Sequence, residues 1–600
     1  MFCRPTKPLV FTTIVLILIA IVAACARTQD RAVERLGLMP IENLSSDARL
    51  EWPSRAAVAV VAYDLAGSKQ IFARPVDSLT AAQSMQASRL LEGYFFERNG
   101  RIGIRATLED LAKTKAVESF EIDGAASAGF LPLANELARR LSSDARTFST
   151  SNENAFRFYG EALSAKDSKG AEQALQQATG ADPGFAAGYM EEAELLVRTG
   201  DRAGARRVAE AGGRARLDPI DRANLEYVAS TASDDLTDRM KALELLTAAT
   251  PANANTFREL GELQYARRQF RRAATEYRVA ASLDPENPQI WNQLGYTLAF
   301  AKDLKGAREA LAQYQRLAPG DANALDSQGE VSYMLGDFKS ASEYFERAAA
   351  RNPAESLKAA EARLMLGDLH GADALYTKYG GAYLGQWEYL TGRRKAGVAW
   401  VEKQAQTGRL PGDSDAFALS QLSLWKLEAG DRKAAADLAT QAANVAMQSP
   451  RMRILSLTYG FVAADTAGES NSKIANAYRL LFAKKFQEAL PWLQAVYGET
   501  NPSADGQVRT LLAWAYVETG EVGKAVSLTE TYPLPLSFDE PLFGALVFPR
   551  FLYVRGAVLQ QQGKRDEARK SYELYLKYAG DLPDEFGDEA KARASLAAMK

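Results

Sequence analysis

One histidine, His370, serves a chain of 600 residues. No imidazole can therefore find a second imidazole for a metal, and a Ser-His-Asp relay would have to be built around that single ring. It stands beside Gly367-Asp368-Leu369, a turn sequence, where a solvated imidazole is the expected state. The two cysteines, Cys3 and Cys25, both lie at the amino-terminal end, so the body has neither a thiol nucleophile nor a disulfide. No Walker-type phosphate loop, dinucleotide glycine motif or EF-hand spacing occurs. Gly212-Gly213 and Gly380-Gly381 read as helix stops. The 75 Asp and Glu residues form no identifiable acid–base pair and are accounted for by solvated helix faces. These residue types point away from an enzyme and away from any metal or cofactor, and leave noncovalent binding as the chemistry to look for.

Charge narrows the class of partner. The formal net charge is −3, with 24% of residues charged and 47% apolar. That composition supports a large folded core but offers no concentrated basic face for nucleic acid. The local exception, Arg267, Arg268, Arg271 and Arg272, falls on one turn between two helices and is expected to be solvated.

The elements that would position a binding surface are written in a repeat. Phe257, Trp291 and Leu325 are 34 residues apart. In register with them come Gly261, Gly295 and Gly329; Ala273, Ala307 and Ala341; Tyr277, Leu311 and Phe345; and Pro285, Pro319 and Pro353. The small residues let two helices approach, the large ones fill the space between neighbours, and the prolines end the second helices. A step of this length with these residues resembles the tetratricopeptide repeat, a helix-turn-helix unit that stacks into an α-solenoid with a concave face.

Weaker marks extend the pattern in both directions. Upstream are Ala171, Leu175, Ala178 and Pro183, then Tyr189, Gly200 and Ala205, and a degenerate unit at Asp218-Pro219 and Ala242. Downstream are Gly367-Asp368 with Ala372, Gly430-Asp431 with Ala434, Phe486 with Ala489, Gly520 with Ala525, and Gly556, Gly563, Ala568 and Tyr572. The expected array covers 150–600 and is clearest over 254–353. A Pro-rich run, 531–550, cannot be regular helix and reads as an insertion.

The amino terminus sets the compartment. Arg4 and Lys7 precede an apolar run from Leu9 to Ala24, a secretory signal pattern over 1–24. Val22-Ala23-Ala24-Cys25 resembles a bacterial lipobox, and the resemblance implies lipid attachment at Cys25. The alternative is an uncleaved membrane helix, for which the run is short, since spanning takes about 20 apolar residues. Either way the body is expected on the exported, periplasmic side of a membrane anchor. Ala26 lacks the acidic retention signal that follows the lipidated Cys in some bacteria, which favours the outer membrane.

A polar tether, 25–36, leads to a region without the repeat. There Pro40-Ile41-Glu42-Asn43-Leu44-Ser45 resembles the start of the amino-terminal domain of TolB, with Ile41 in place of the usual Phe. Alternating residues on both sides of Arg98-Asn99-Gly100 predict a hairpin, and Phe130 to Leu141 an amphipathic helix. The expected fold is therefore mainly α: a tetratricopeptide-type solenoid preceded by a small α/β domain over 37–148.

The repeat resemblance also implies which positions of the first helices face the groove. In the first clear repeat these include Arg258 and Tyr265. The next contributes Asn292, Tyr296 and Phe300, and the third Asp326 and Tyr333. An aromatic stripe beside a polar ladder suits a protein or peptide partner. The expected function is an envelope-tethered scaffold for protein–protein contacts, with a structural part in an export or polysaccharide-handling machine as the alternative.

Overall fold

The computed structural model describes residues 33–44, 50–215, 217–233, 235–379, 384–407, 414–446, 450–464, 470–533, 547–581 and 583–599. The signal segment 1–24, Cys25, most of the tether, Ser45, Gly380-Gly381 and residues 534–546 of the Pro-rich run lie outside the described residues. The fold is a helical solenoid of tetratricopeptide type preceded by a small strand-containing region. It divides into two compact units, one running to Gln264 and including Thr275–Ile290, the other made of Tyr265–Ala274 and Trp291–Lys600.

The first unit opens with a sheet of β1 (Glu34–Leu38), β2 (Glu42–Asn43), β3 (Ile71–Pro75), β4 (Arg89–Arg98), β5 (Arg101–Asp110) and β6 (Lys115–Ala125). The order is β3-β1-β4-β5-β6, with β2 also on β4. Strands β1 and β3 are parallel, and β4, β5 and β6 form an antiparallel meander. The predicted hairpin is there. Arg98 pairs with Arg101, and Asn99 and Gly100 both take positive φ, 52° and 70°. Two left-handed residues in a two-residue loop match the twist of the strands they join.

Period-two alternation puts Leu91, Phe95, Ile104, Ala106 and Leu108 on one face, and their core also takes in the helices Pro53–Leu65 and Leu131–Leu141. That core continues into the first hairpins, through Phe148, Phe156, Tyr159 and Phe185. The sheet and the first repeats are thus joined by apolar packing rather than by a linker.

The 34-residue step has the physical origin that the sequence suggests. A Cβ on Gly261, Gly295 or Gly329 would meet Tyr277 at 3.1 Å, Leu311 at 2.6 Å and Phe345 at 2.5 Å. Each glycine of a first helix is the seat of the large residue sixteen positions on, in the second helix. Ala273, Ala307 and Ala341 are fully buried. Gly329→Ala is expected to cost about 1–3 kcal/mol by overpacking against Phe345, read as a lowered urea midpoint.

The turns between paired helices are equally regular. Gly336, Gly367 and Gly430 take positive φ, ending the first helix as only a residue without Cβ does freely. The following Asp337, Asp368 and Asp431 accept a hydrogen bond from the backbone N–H three residues on and so cap the second helix. The second unit shares one apolar core that includes Tyr333, Phe345, Trp387, Trp425, Trp514 and Tyr578. Within it Tyr376 stacks on Trp387 and Tyr389 on Trp425, each at 4.1 Å.

Candidate functional site

The groove positions meet different fates. In the first unit Arg258 is partly exposed and pairs along its own helix with Glu262, with Glu259 at 4.0 Å. In the second unit Tyr265 and Tyr333 are buried, whereas Tyr296 and Phe300 keep part of their surface exposed. Tyr265 and Tyr333 are only 7% and 6% exposed. Tyr265 packs edge-on to Phe270 at 5.5 Å and to Phe300 at 5.8 Å, and Phe270 stacks on Phe300 at 4.9 Å. Tyr333 packs on Phe338 at 5.1 Å. Burial, with the nearby Asp505 charge, raises the Tyr265 phenol above its ordinary range.

The expectation of a solvent-facing aromatic stripe is therefore corrected at Tyr265 and Tyr333. Both stand one residue from the end of the first helix, where the inter-helix turn brings the second helix's own aromatic over them.

Of the expected polar ladder, Asp326 gathers polar partners in the second unit. Asn292 and Tyr296 lie on the helix Pro288–Phe300, and Asp326 and Glu330 on the helix Ala322–Met334. Tyr296 donates its hydroxyl to Glu330 at 2.5 Å. The ammonium of Lys358, on the next first helix Ser356–Met365, donates to both oxygens of Asp326 at 2.7 and 2.8 Å and to Glu330 at 2.9 Å. Glu355 is 3.3 Å from the same ammonium.

Burial pushes the Asp326 carboxyl up to about 6 although Lys358 draws it down. Burial also works against the Lys358 charge, but Glu330 and Asp326 outweigh it and hold the ammonium above the usual lysine value. Three carboxylates thus share one cation. The Asn292 side-chain oxygen is buried without a hydrogen-bond partner among the described residues.

Lys358 was not foreseen in the sequence. The register shortens after the third repeat, so Lys358 stands 32 rather than 34 residues from Asp326. Two carboxylates one helical turn apart at 326 and 330 are the signal that a cation has to follow in the next repeat. Lys358→Met is expected to destabilise the unit by about 2 kcal/mol, since carboxylates that lose their cation remain desolvated. Thermal unfolding at pH 7.5 reads it, and the loss should be smaller at pH 5, where Asp326 is protonated.

The expectation of a solvated arginine turn is corrected at Arg268, while Arg267, Arg271 and Arg272 are exposed. Arg268 is not solvated: it is 19% exposed and donates to Asp505 at 2.5 Å. His370, at the start of the helix Leu369–Tyr379, lies beside the turn where the sequence placed it.

Residues 258–322 and 328–373 match the tetratricopeptide repeat model. These two stretches carry tetratricopeptide repeats. The matched stretches include Asn292, Tyr296, Glu330 and Lys358, while Asp326 falls in the short gap between them. A TPR repeat-containing protein of Pseudomonas aeruginosa, PA4667, is 27% identical over 199 residues, 32% of this chain and 33% of that protein. The chain thus spans about a third of the length of the curated relative it matches.

Among solved structures, MamA is 16% identical with a TM-score of 0.25, over 28% of this chain and 95% of that one. PilF of Pseudomonas aeruginosa is 14% identical with a TM-score of 0.28, over 35% and 96%. The Naa15/Naa10 structure with HypK gives 15% and 0.33, over 75% and 78%. Tetratricopeptide repeats as a class are protein-binding scaffolds and are generally non-catalytic.

Proposed function

We propose that this chain is a non-catalytic scaffold of the bacterial cell envelope, exported and held to the membrane through lipid on Cys25, whose repeats bind a protein partner. The observation that carries the reading is the match of 258–322 and 328–373 to a protein-binding repeat. The ladder from Asn292 to Lys358 is its docking floor within the second unit. With more carboxylates than cations, that floor suits a partner segment bearing Lys or Arg.

Compartment and anchor are supported by the signal pattern ending in Ala23-Ala24-Cys25, with the outer membrane favoured over the inner. The small α/β domain, through Pro40, Glu42-Asn43-Leu44 and the Asn99-Gly100 hairpin, is proposed to be of the TolB amino-terminal type.

Affinity capture from detergent-solubilised membranes tests the binding half, with wild type against Asn292→Ala/Asn323→Ala. Both substitutions lie on first helices, and Asn323 is exposed. A protein enriched by wild type and lost from the variant supports the reading; identical captured sets refute it. Mass spectrometry of the mature amino terminus tests the anchor. A diacylglyceryl-modified Cys25 is expected, and an intact Met1 would overturn it.

A further inference from the structure

The left-handed position of each inter-helix turn recurs at 268, 302, 336 and 367, yet only the last two are glycine. Arg268 and Lys302 take φ of 59° and 67° there, a conformation that costs an L-residue about 1–2 kcal/mol. Both side chains reach the same distant segment of the second unit. Arg268 donates to Asp505 Oδ2 at 2.5 Å and to the carbonyls of Tyr497 and Thr500 at 3.0 and 3.1 Å. Its guanidinium lies 3.8 Å from the centre of the Tyr497 ring. Lys302 is 2.5 Å from Glu530.

At the next turn, glycine leaves room instead. A Cβ on Gly336 would meet the Tyr532 ring at 3.1 Å, and Tyr532 N–H donates to Met334 O at 2.8 Å. Gly367 O accepts from Lys577 at 2.9 Å. The turn edge of the solenoid is therefore joined, in order, to the C-terminal part of its own unit. The character of the joint changes along its length. Tyr333 and the residues after it share the unit's large apolar core with Val547, Leu552 and Tyr578, and Val508, Leu511, Trp514 and Leu528 belong to that core too. The links at Arg268 and Lys302 fall on its margin, at 497–505 and at Glu530, and are ion pairs, a cation–π contact and carbonyl hydrogen bonds. A polar end can part without opening the core.

We propose that Arg268, with the Lys302–Glu530 pair as its outer contact, forms a clasp that holds the chain's own segment 497–505 against the first hairpins of the C-terminal unit, and that its release frees the Arg268 face, beside Tyr265, Phe270 and Phe300, for a protein partner. The segment held there defines that partner's chemistry: a carboxylate for Arg268 beside an aromatic ring, as Asp505 and Tyr497 now provide. The inference rests on the protein-binding reading of the repeats. It places a second, gated surface next to the ladder.

Glycine substitutions test it cleanly, because Arg268→Gly/Lys302→Gly removes the clasp while relieving both turns. Hydrogen exchange on the full chain should quicken at least tenfold in 497–505 and remain unchanged in 508–528 and 547–599. Unchanged exchange in 497–505 overturns the clasp, and so does equal acceleration in 508–528 or 547–599, which would make the contact part of the core.

The docking half uses Asp505→Asn/Glu530→Gln, which keeps both cations. This variant should bind a synthetic peptide copying residues 493–507 saturably, and the double-glycine variant should not. Equal binding by both, or none by either, overturns that half. Neither readout involves Asn292 or Asn323, so failure here is distinguishable from failure of the ladder reading.

Discussion

Arg550→Ala is expected to destabilise the C-terminal unit by about 3–5 kcal/mol, the largest loss foreseen for a single substitution here. Arg550 begins the helix Arg550–Gln561 and is 6% exposed. Its Nε is 2.7 Å from Asp588, which is fully buried, and its Nη2 is 3.6 Å from Glu428, which is 5% exposed. The guanidinium plane lies 4.3 Å from the centre of Trp514 and 5.0 Å from that of Phe586.

Glu428 also accepts the Tyr389 hydroxyl at 2.7 Å and lies 3.7 Å from Arg394. One cation therefore ties the helices Ser414–Glu428, Arg550–Gln561 and Asp588–Ala598. Deleting it strands desolvated carboxylates, and the cost is mainly theirs. Arg550→Ala/Asp588→Asn should accordingly recover part of the loss. Urea unfolding followed by Trp fluorescence measures both, and a double variant no better than the single would show that lost packing, not stranded charge, dominates.

Asp64→Asn is expected to act in the opposite direction and to stabilise the protein. Asp64 is fully buried on the helix Pro53–Leu65, and neither carboxyl oxygen has a hydrogen-bond partner among the described residues. The nearest cation, Arg146, is engaged elsewhere. It donates to Asp218 and Asp221 at 3.0 Å and lies 4.1 Å from the centre of the Tyr63 ring. Burial pushes the Asp64 carboxyl up to about 8, with Arg146 and Arg139 only partly opposing it.

A folded pKa above the unfolded value means that the folded chain holds the proton more tightly. Its contribution is full below the ordinary carboxylate range and is lost as pH rises through 8. Asn does not titrate, so the gain over wild type should be small near pH 4.5 and reach about 3 kcal/mol at pH 8.5. Thermal melts at the two pH values decide it. A gain that does not grow with pH would mean that Asp64 is solvated or paired in solution.

The repeats were legible because their register is a packing rule. A glycine seat and the large residue that fills it are sixteen positions apart at 261 and 277, 295 and 311, and 329 and 345. The same pairing recurs where the 34-residue step lapses: a Cβ on Gly385 would meet Val401 at 2.7 Å, and one on Gly556 would meet Tyr572 at 2.8 Å. The shorter rule survives because it acts within one hairpin, while the longer step also depends on every loop between hairpins. The Asn99-Gly100 hairpin was legible for the same local reason.

The binding surface was less so. Periodicity places Tyr265 and Tyr333 on the right helix face but cannot show that Phe270, Phe300 and Phe338 cover them. Arg268 reads as one of four arginines on a turn. Only the recurrence of glycine at 336 and 367 marks its position as left-handed, and its partner, Asp505, is 237 residues away.

The central claim is that the repeat ladder is where a protein partner docks. It is tested most directly by a photo-activatable cross-linking residue placed in living cells at Asn292, at Asn323, or at the exposed Glu309 on the second helix Leu304–Leu317. A discrete protein adduct from the first two positions and none from Glu309 is the predicted result. The same adducts from all three positions, or none from Asn292 and Asn323, would contradict it.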